Sequence, residues 1–152
     1  MEIPEIIQQL DHLLERGKEL MKNSSENELK FKPLPDKWSK KEILGHLIDS
    51  GIHNLQRFTE IQFETKPYKI RKYNQNELVN VNHYNEANTG EIISFWLAIN
   101  ERIKKVIELQ DEYTLAYQIE ISKGEKSDFK FLIKDYVNHM EHHLHQIEKL
   151  HN

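Results

Sequence analysis

The sequence predicts an all-α protein, a four-helix bundle with a small β-hairpin excursion before its last helix. Two observations predict the bundle: apolar residues recur at the 3.6-residue period of an amphipathic helix in four long segments, and short connections separate these segments. A third observation predicts the hairpin. Between residues 113 and 121 the period changes to two, which is typical of a half-buried strand.

The first two helices have clear boundaries. Pro4 is suited to a first helical turn, and the polar stretch NSSEN ends the first helix at about residue 22. The two prolines of KPLPDKW exclude regular helix from the loop that follows. Ser39 and Glu42 then form the S-x-x-E pattern of a capping box, which predicts a long second helix over about 40–64.

The second half of the chain alternates between connections and helices in the same way. Pro67 and the polar run KIRKYNQN mark a connection, in which we expect one short helix near 75–85. A third long amphipathic helix follows over 89–110. Gly124 is the expected turn of the hairpin, and Asp128 is suited to cap a last helix over 129–150.

Composition limits the classes of function. The 152 residues are most simply one domain, residues 1–152, with 38% hydrophobic and 30% charged residues. The net charge of -4 and the scattered lysines argue against nucleic-acid binding, which requires a strongly basic face. Without cysteine there is no disulfide, thiolate metal site or cysteine nucleophile. We expect a cytoplasmic protein with no membrane partner, because neither an apolar span nor a secretory signal pattern is visible.

Four of the nine histidines lie in the segment NHMEHHLHQI, residues 138–147. Since a helix turns about 100° per residue, His139 and His143 lie at the margin of the apolar stripe, whereas His142 and His145 face outward. Histidines four residues apart form a chelating unit, because both rings leave the same side of the helix and can converge on one ion. Two ligands seldom suffice, so we expect a third from another element of the fold.

The second helix offers that third ligand. A polar stripe follows one side of this helix and consists of His46, Ser50, His53 and Arg57, with Asp49 one step to the side. Such a stripe is either a solvated helix edge or the wall of a polar pocket. Purely structural histidines are the alternative, but the pair together with a distant histidine favours a metal site.

The chain resembles the DinB-like superfamily in three stretches that occur in the same order: KWSKKEILGHLIDS, RF at 57–58, and YVNHMEHHLHQI. Within the superfamily it is most similar to the YfiT-type metal-dependent hydrolases, which are related to bacillithiol S-transferases. The resemblance covers nearly the whole chain. It implies an up-down-down-up bundle, frequent homodimers, and metal ligands at His46, His139 and His143. Asn138 departs from the aromatic residue expected in YfiT-type members, which affects the substrate pocket rather than the metal.

Three neutral imidazoles leave a divalent ion its full charge and at least one open position, as in catalytic sites. Such an ion lowers the pKa of bound water to near 7 or deprotonates a coordinated thiol. We therefore expect a small-molecule reaction, either thiol S-transfer with a low-molecular-weight thiol or hydrolysis. Arg57 is a candidate for binding a carboxylate bidentately, with a surface salt bridge as its alternative role. Asp49 and Asp135 are candidate hydrogen-bond partners of imidazole N–H groups, and we count Asp49 with Arg57 as catalytic candidates.

Two other classes of function stay open. One is a non-catalytic stress-response bundle that binds a metal or a ligand, and the other is a purely structural dimeric bundle with incidental histidines. Zinc or nickel is the expected ion, with manganese and iron as alternatives, because imidazoles bind several of these metals and availability decides.

Overall fold

A computed structural model describes residues 2–150, and within this range the chain is predominantly helical. The helices are α1 (Ile3–Lys22), α2 (Glu26–Lys30), α3 (Lys40–Glu60), α4 (Gln75–Val81), α5 (Thr89–Glu108), α6 (Glu112–Leu115) and α7 (Phe129–Lys149). A 3-10 turn, Tyr84–Glu86, precedes α5, and the strands are β1 (Tyr68–Lys69), β2 (Gln118–Ser122) and β3 (Glu125–Asp128). The long helices α1, α3, α5 and α7 confirm the predicted four-helix bundle.

Contacts between the long helices define their directions. The helix α7 runs parallel to α1 and antiparallel to α3, whereas α5 runs parallel to α3 and antiparallel to α1. The contacts Gln9–Glu141 and Arg16–Glu148 show that α1 and α7 are parallel, and His46–His139 and Phe58–Phe129 show that α3 and α7 are antiparallel. The contacts Asp11–Lys104 and Gly17–Trp96 show that α1 and α5 are antiparallel. Lys41 and Thr89, at the starts of α3 and α5, both contact Glu26, as expected for two parallel helices. The bundle is therefore up-down-down-up, as the resemblance implies.

Side-chain caps fix where the two site-bearing helices begin. The Ser39 hydroxyl accepts a hydrogen bond from the Glu42 backbone N–H at 3.1 Å, and the Glu42 carboxylate accepts one from the Ser39 N–H at 3.0 Å. This is the predicted capping box. At the start of α7 the Asp128 carboxylate accepts a bond from the Phe131 N–H at 2.8 Å, also as predicted. Both helix starts are thus set by local sequence.

The N-terminal half of α3 is buried on every side, from residue 41 to residue 51. The helices α5 and α7 pack on two of its faces, while α2, α4 and the 3-10 turn cover the others. Gly45 permits this cover, because a Cβ atom there would overlap the ring of Tyr84. The polar stripe of α3 is therefore enclosed at its His46 end rather than solvated.

The β excursion differs from the predicted strand over 113–121. The helix α6 occupies the first part of that range, because the Asp111 side chain accepts a hydrogen bond from the Thr114 N–H at 2.9 Å and caps a helical turn. The strands β2 and β3 form the predicted hairpin around Gly124, whose φ of 82° suits glycine. The sheet also contains β1, which pairs in parallel with β2 and was not predicted.

The remaining elements are short. The helix α4 confirms the expected short helix but ends at Val81, before the predicted end at 85. The helix α2 was not predicted; it lies between the end of the first helix and the proline-containing loop, where the Ser25 side chain accepts a hydrogen bond from the Glu28 N–H. Within residues 2–150 the structure has no helix that is both long and apolar enough to span a membrane.

Candidate metal centre

Three histidines from two helices converge between the N-terminal half of α3 and the middle turns of α7. His46 comes from α3, and His139 and His143 come from successive turns of α7. The Nε2 atoms of His46 and His139 are 3.0 Å apart, and one ring nitrogen from each residue lies within 4.8 Å of the others. The structure thus brings together the three residues that the sequence predicted as ligands.

The spacing of these nitrogens is compatible with one bound ion. Two nitrogens at about 2.0–2.1 Å from an ion, with ligand angles between octahedral and tetrahedral values, are roughly 2.9–3.4 Å apart. The His46–His139 distance already lies in this range, whereas the widest separation of 4.8 Å requires one ring to move by about 1–2 Å. The cluster consists of imidazoles alone, a donor set that suits ions such as Zn²⁺ and Ni²⁺.

Burial keeps these imidazoles neutral. The side chain of His46 is 0% exposed, and burial, followed by the neighbouring His143 and His139, lowers its pKa to about 3. Burial and the neighbouring histidines also lower the pKa of His139 to about 4. For His143, burial lowers the pKa and the Gln146 hydrogen bond partly opposes this shift. At neutral pH all three rings therefore keep a lone pair for a metal.

Two residues that the sequence prediction missed orient the rings. The Nδ1 of His143 lies 2.8 Å from the amide Oε1 of Gln146, and because this oxygen only accepts, Nδ1 carries the proton and Nε2 keeps its lone pair. The Trp38 ring covers the cluster at 4.8 Å from the His46 ring and 6.4 Å from the His143 ring. Gln146 follows His143 by three positions, so helical spacing would have identified it.

The two other histidines of the segment lie outside this cluster. His142 and His145 are exposed on the outer side of α7, as their helical phase predicts. The ring of His142 lies 5.0 Å from that of His143, at the rim of the site.

Asp49 contacts the 3-10 turn rather than a histidine ring of the cluster. Its Oδ1 accepts a hydrogen bond from the Tyr84 hydroxyl at 2.6 Å, and burial raises the pKa of its carboxyl group. Its Oδ2 is buried and lacks a hydrogen-bond partner among the described residues, as does Nδ1 of His46. Asp135 is exposed on α7. The catalytic role of Asp49 stays a prediction.

Arg57 lies too far along α3 to reach the histidine cluster. It follows His46 by eleven residues, which corresponds to about 16 Å along the helix axis. Its guanidinium donates hydrogen bonds to the Arg71 carbonyl at 2.7 Å and to the Asn54 side-chain oxygen at 3.4 Å. The structure therefore places Arg57 at the opposite end of the polar stripe.

The fold and the site together define the class of this protein, which is an up-down-down-up helical bundle with three converging histidines between two of its helices. The family follows from the sequence. The chain matches the family model of the DinB superfamily over residues 6–147, and it belongs to that superfamily. No curated protein matches the sequence.

Solved structures share this fold at low sequence identity. YfiT from Bacillus subtilis, described as a probable metal-dependent hydrolase with an unusual four-helix bundle topology, aligns with a TM-score of 0.87 and 17% identity over 97% of this chain and 85% of its own. A mycothiol-dependent maleylpyruvate isomerase aligns with a TM-score of 0.73 and 12% identity over 97% of this chain and 61% of its own. A conserved protein from Enterococcus faecalis aligns with a TM-score of 0.69 and 17% identity, covering 97% and 94%.

Proposed function

We propose that this protein is a metal-dependent enzyme in which His46, His139 and His143 hold one divalent ion. The observation that carries the proposal is the convergence of three buried or half-buried imidazoles, two of which already have the nitrogen spacing of a shared ion. Zinc or nickel is the proposed metal, since an all-imidazole set suits both.

The chain contributes positioning and neutral ligands. Gln146 fixes the tautomer of His143, and the Trp38 ring restricts the ring of His46 from one side. When bound, the ion would act as a Lewis acid, which would make a thiol or water nucleophilic at neutral pH. Because the three ligands are neutral, they leave the positive charge of the ion for this task.

The proposed reaction is thiol S-transfer or hydrolysis of a small molecule. Two structural neighbours support this choice: one is described as a probable metal-dependent hydrolase, and the other depends on the thiol mycothiol. Arg57 is proposed to bind a carboxylate of the substrate. Asp49, which is buried in α3 near His46, is proposed to take part in catalysis. We also propose a homodimer, for which analytical ultracentrifugation is the test.

The experiment compares one preparation in three states: as purified, after chelation, and after reloading with Zn²⁺ or Ni²⁺. Metal content is measured by mass spectrometry, and activity is measured as thiol conjugation to an electrophile and as ester hydrolysis. We expect one ion per chain and an activity that disappears on chelation and returns on reloading. An activity that survives chelation would contradict the mechanism, and a bound ion without either activity would support a non-catalytic metal-binding bundle instead.

A further inference from the structure

A second concave site lies farther along α3 than the histidine cluster. It is a cavity of about 250 Å³ between the C-terminal half of α3 and the segment that includes β1. We name it the basic pocket, and its lining consists of His53, Gln56, Arg57, Glu60, Tyr68, Arg71 and Lys72.

The basic pocket has an excess of positive charge that the protein does not neutralise. Three cationic side chains, Arg57, Arg71 and Lys72, line it against one carboxylate, Glu60. Within residues 2–150 none of the three cations forms an ion pair. Burying a cation without an anionic partner costs free energy, and Arg57 is half-buried. The pocket therefore favours an anionic occupant.

The Arg57 guanidinium is held in place with donors to spare. One of its N–H groups donates to the Arg71 carbonyl and a second to Asn54, which leaves three of the five donors of an arginine. Its charge also lies over the Tyr73 ring, 5.5 Å from the ring centroid. A fixed planar fork of this kind is pre-organised to bind a carboxylate or a phosphate with two hydrogen bonds.

His53 lines the basic pocket on the side nearer to the histidine cluster along α3. Its Nδ1 lies 2.8 Å from the Asp49 carbonyl oxygen, which only accepts, so Nδ1 carries the proton of the neutral ring. The ring stacks on Tyr73 at a centroid distance of 4.2 Å, which fixes its orientation. His53 follows His46 by seven residues on the same polar stripe, so the near wall of the pocket lies about 10 Å along the helix from the cluster.

We propose that the basic pocket binds an anionic group, a carboxylate or a phosphate, of the same substrate or thiol whose reactive atom reaches the three histidines. The assignment rests on the proposed function, because the histidine cluster defines the reacting end. The ligand is an extended molecule in which about 10–16 Å separates the reactive atom from the anionic group.

The first experiment tests the pocket without the metal. Succinate and inorganic phosphate are titrated by calorimetry into chelated protein and into the double variant Arg71→Gln/Lys72→Gln, which keeps the backbone carbonyl that orients Arg57. We expect binding with a Kd below roughly 10 mM for one of the two anions, weakened about tenfold in the double variant. The preferred anion distinguishes a carboxylate from a phosphate.

Lys69→Gln is the matched control, because Lys69 is an exposed cation of β1 that does not line the basic pocket. We expect its anion binding to equal that of the unmodified protein. Absence of saturable binding for both anions, or an equal loss in Lys69→Gln, would overturn the proposal.

The second experiment links the basic pocket to the histidine cluster in metal-loaded protein. The probes are N-acetyl-Cys-Gly-Asp-amide and N-acetyl-Cys-Gly-Asn-amide, which span about 10 Å and differ in one charge. We expect the aspartate peptide to bind about tenfold more tightly than the asparagine peptide, and the two to bind equally in the double variant.

Two results of the peptide experiment would overturn the assignment, and they differ from each other. Equal affinities in the unmodified protein, with succinate or phosphate still bound, would assign the basic pocket to a different ligand while leaving the metal site intact. Failure of both peptides to bind, with anion binding retained, would instead overturn thiol transfer as the proposed reaction at the histidines, and this assignment with it.

Discussion

His142 and His143 are neighbours in the chain, but they have opposite surroundings. His143 is half-buried, and its ring lies 4.6 Å from that of His46. His142 is exposed on the outer side of α7, as is His145. The difference follows from helix geometry, because consecutive side chains of a helix point about 100° apart. The ring of His142 therefore points toward solvent, whereas the ring of His143 points into the bundle.

The comparison shows that histidines close together in the sequence can have opposite surroundings in the fold. His139 and His143 differ from His142 and His145 in two ways: they converge with the ring of His46 from another helix, and they are partly removed from water. Burial lowers the pKa values of His46, His139 and His143, so the packing that holds these rings also keeps them neutral. Four predictions test whether this division is functional.

The largest effect is expected for His139→Ala on the inward face. The substitution removes one of three proposed ligands, so metal affinity should fall by roughly 100-fold or more, since even residues outside the coordination shell typically contribute 10- to 100-fold. Thiol-transfer or hydrolytic activity should fall with it. Metal affinity is measured by competition with a chromophoric chelator. Circular dichroism must show unchanged helicity, and a folded variant that keeps its metal would refute the assignment.

A smaller effect is expected from acid on the metal-free protein. His46 has a pKa of about 3 in the folded protein, below the usual value of 6.5, so between these values the unfolded chain binds more protons. Stability is therefore fully present above pH 6.5 and is lost as the pH falls toward 3. From His46 alone, the free energy of unfolding should be about 2 kcal/mol lower at pH 5 than at pH 7.5, and the lowered pKa of His139 adds to this decrease.

Urea unfolding followed by circular dichroism at the two pH values provides this measurement. His46→Gln should show a smaller decrease than the unmodified protein, because it lacks one titrating ring. His145→Gln should show the full decrease. Equal decreases in His46→Gln and the unmodified protein would mean that the buried ring does not control the pH dependence.

Substitutions of Gln146 test the boundary between the inward and outward faces of α7. Gln146→Ala removes the hydrogen bond to Nδ1 of His143, and metal affinity should fall by about tenfold because the ring loses its fixed tautomer. Gln146→Glu should instead increase metal affinity, since a carboxylate accepts the same bond and makes the imidazole a stronger ligand. The same chelator competition measures both variants, and opposite signs for the two changes are the decisive result.

Most of the fold was predictable because its signals are local. The capping residues Ser39 and Asp128 lie next to the helices that they start, and the 3.6-residue period runs through each long helix. The strand β1 was missed because its pairing is not local: Tyr68 faces Ile119, about fifty positions later in the sequence. The strand was predicted too early because alternation at 113–117 outweighed the Asp111 cap.

The candidate site shows the same division. The phase of one helix predicts which of its histidines face the bundle, and the polar stripe of another predicts His46. Phase carries no information on distance along the axis, however, so it grouped Arg57 with His46 although about 16 Å separates them. Trp38 and Tyr84 contact the site helix from segments outside the long helices, where no period indicates what a side chain will meet.

The smallest effect is expected for the double variant His142→Gln/His145→Gln on the outward face. Both side chains are exposed and lie outside the converging cluster, so glutamine, which is polar and favourable in a helix, should replace them without loss of packing or stability. Metal content, metal affinity and activity should all equal those of the unmodified protein. His142 is the more demanding half of this test, because its ring lies 5.0 Å from that of His143. A loss of metal in His142→Gln alone would move the border of the site to include the rim, whereas a loss in His145→Gln would contradict the division by helical phase itself.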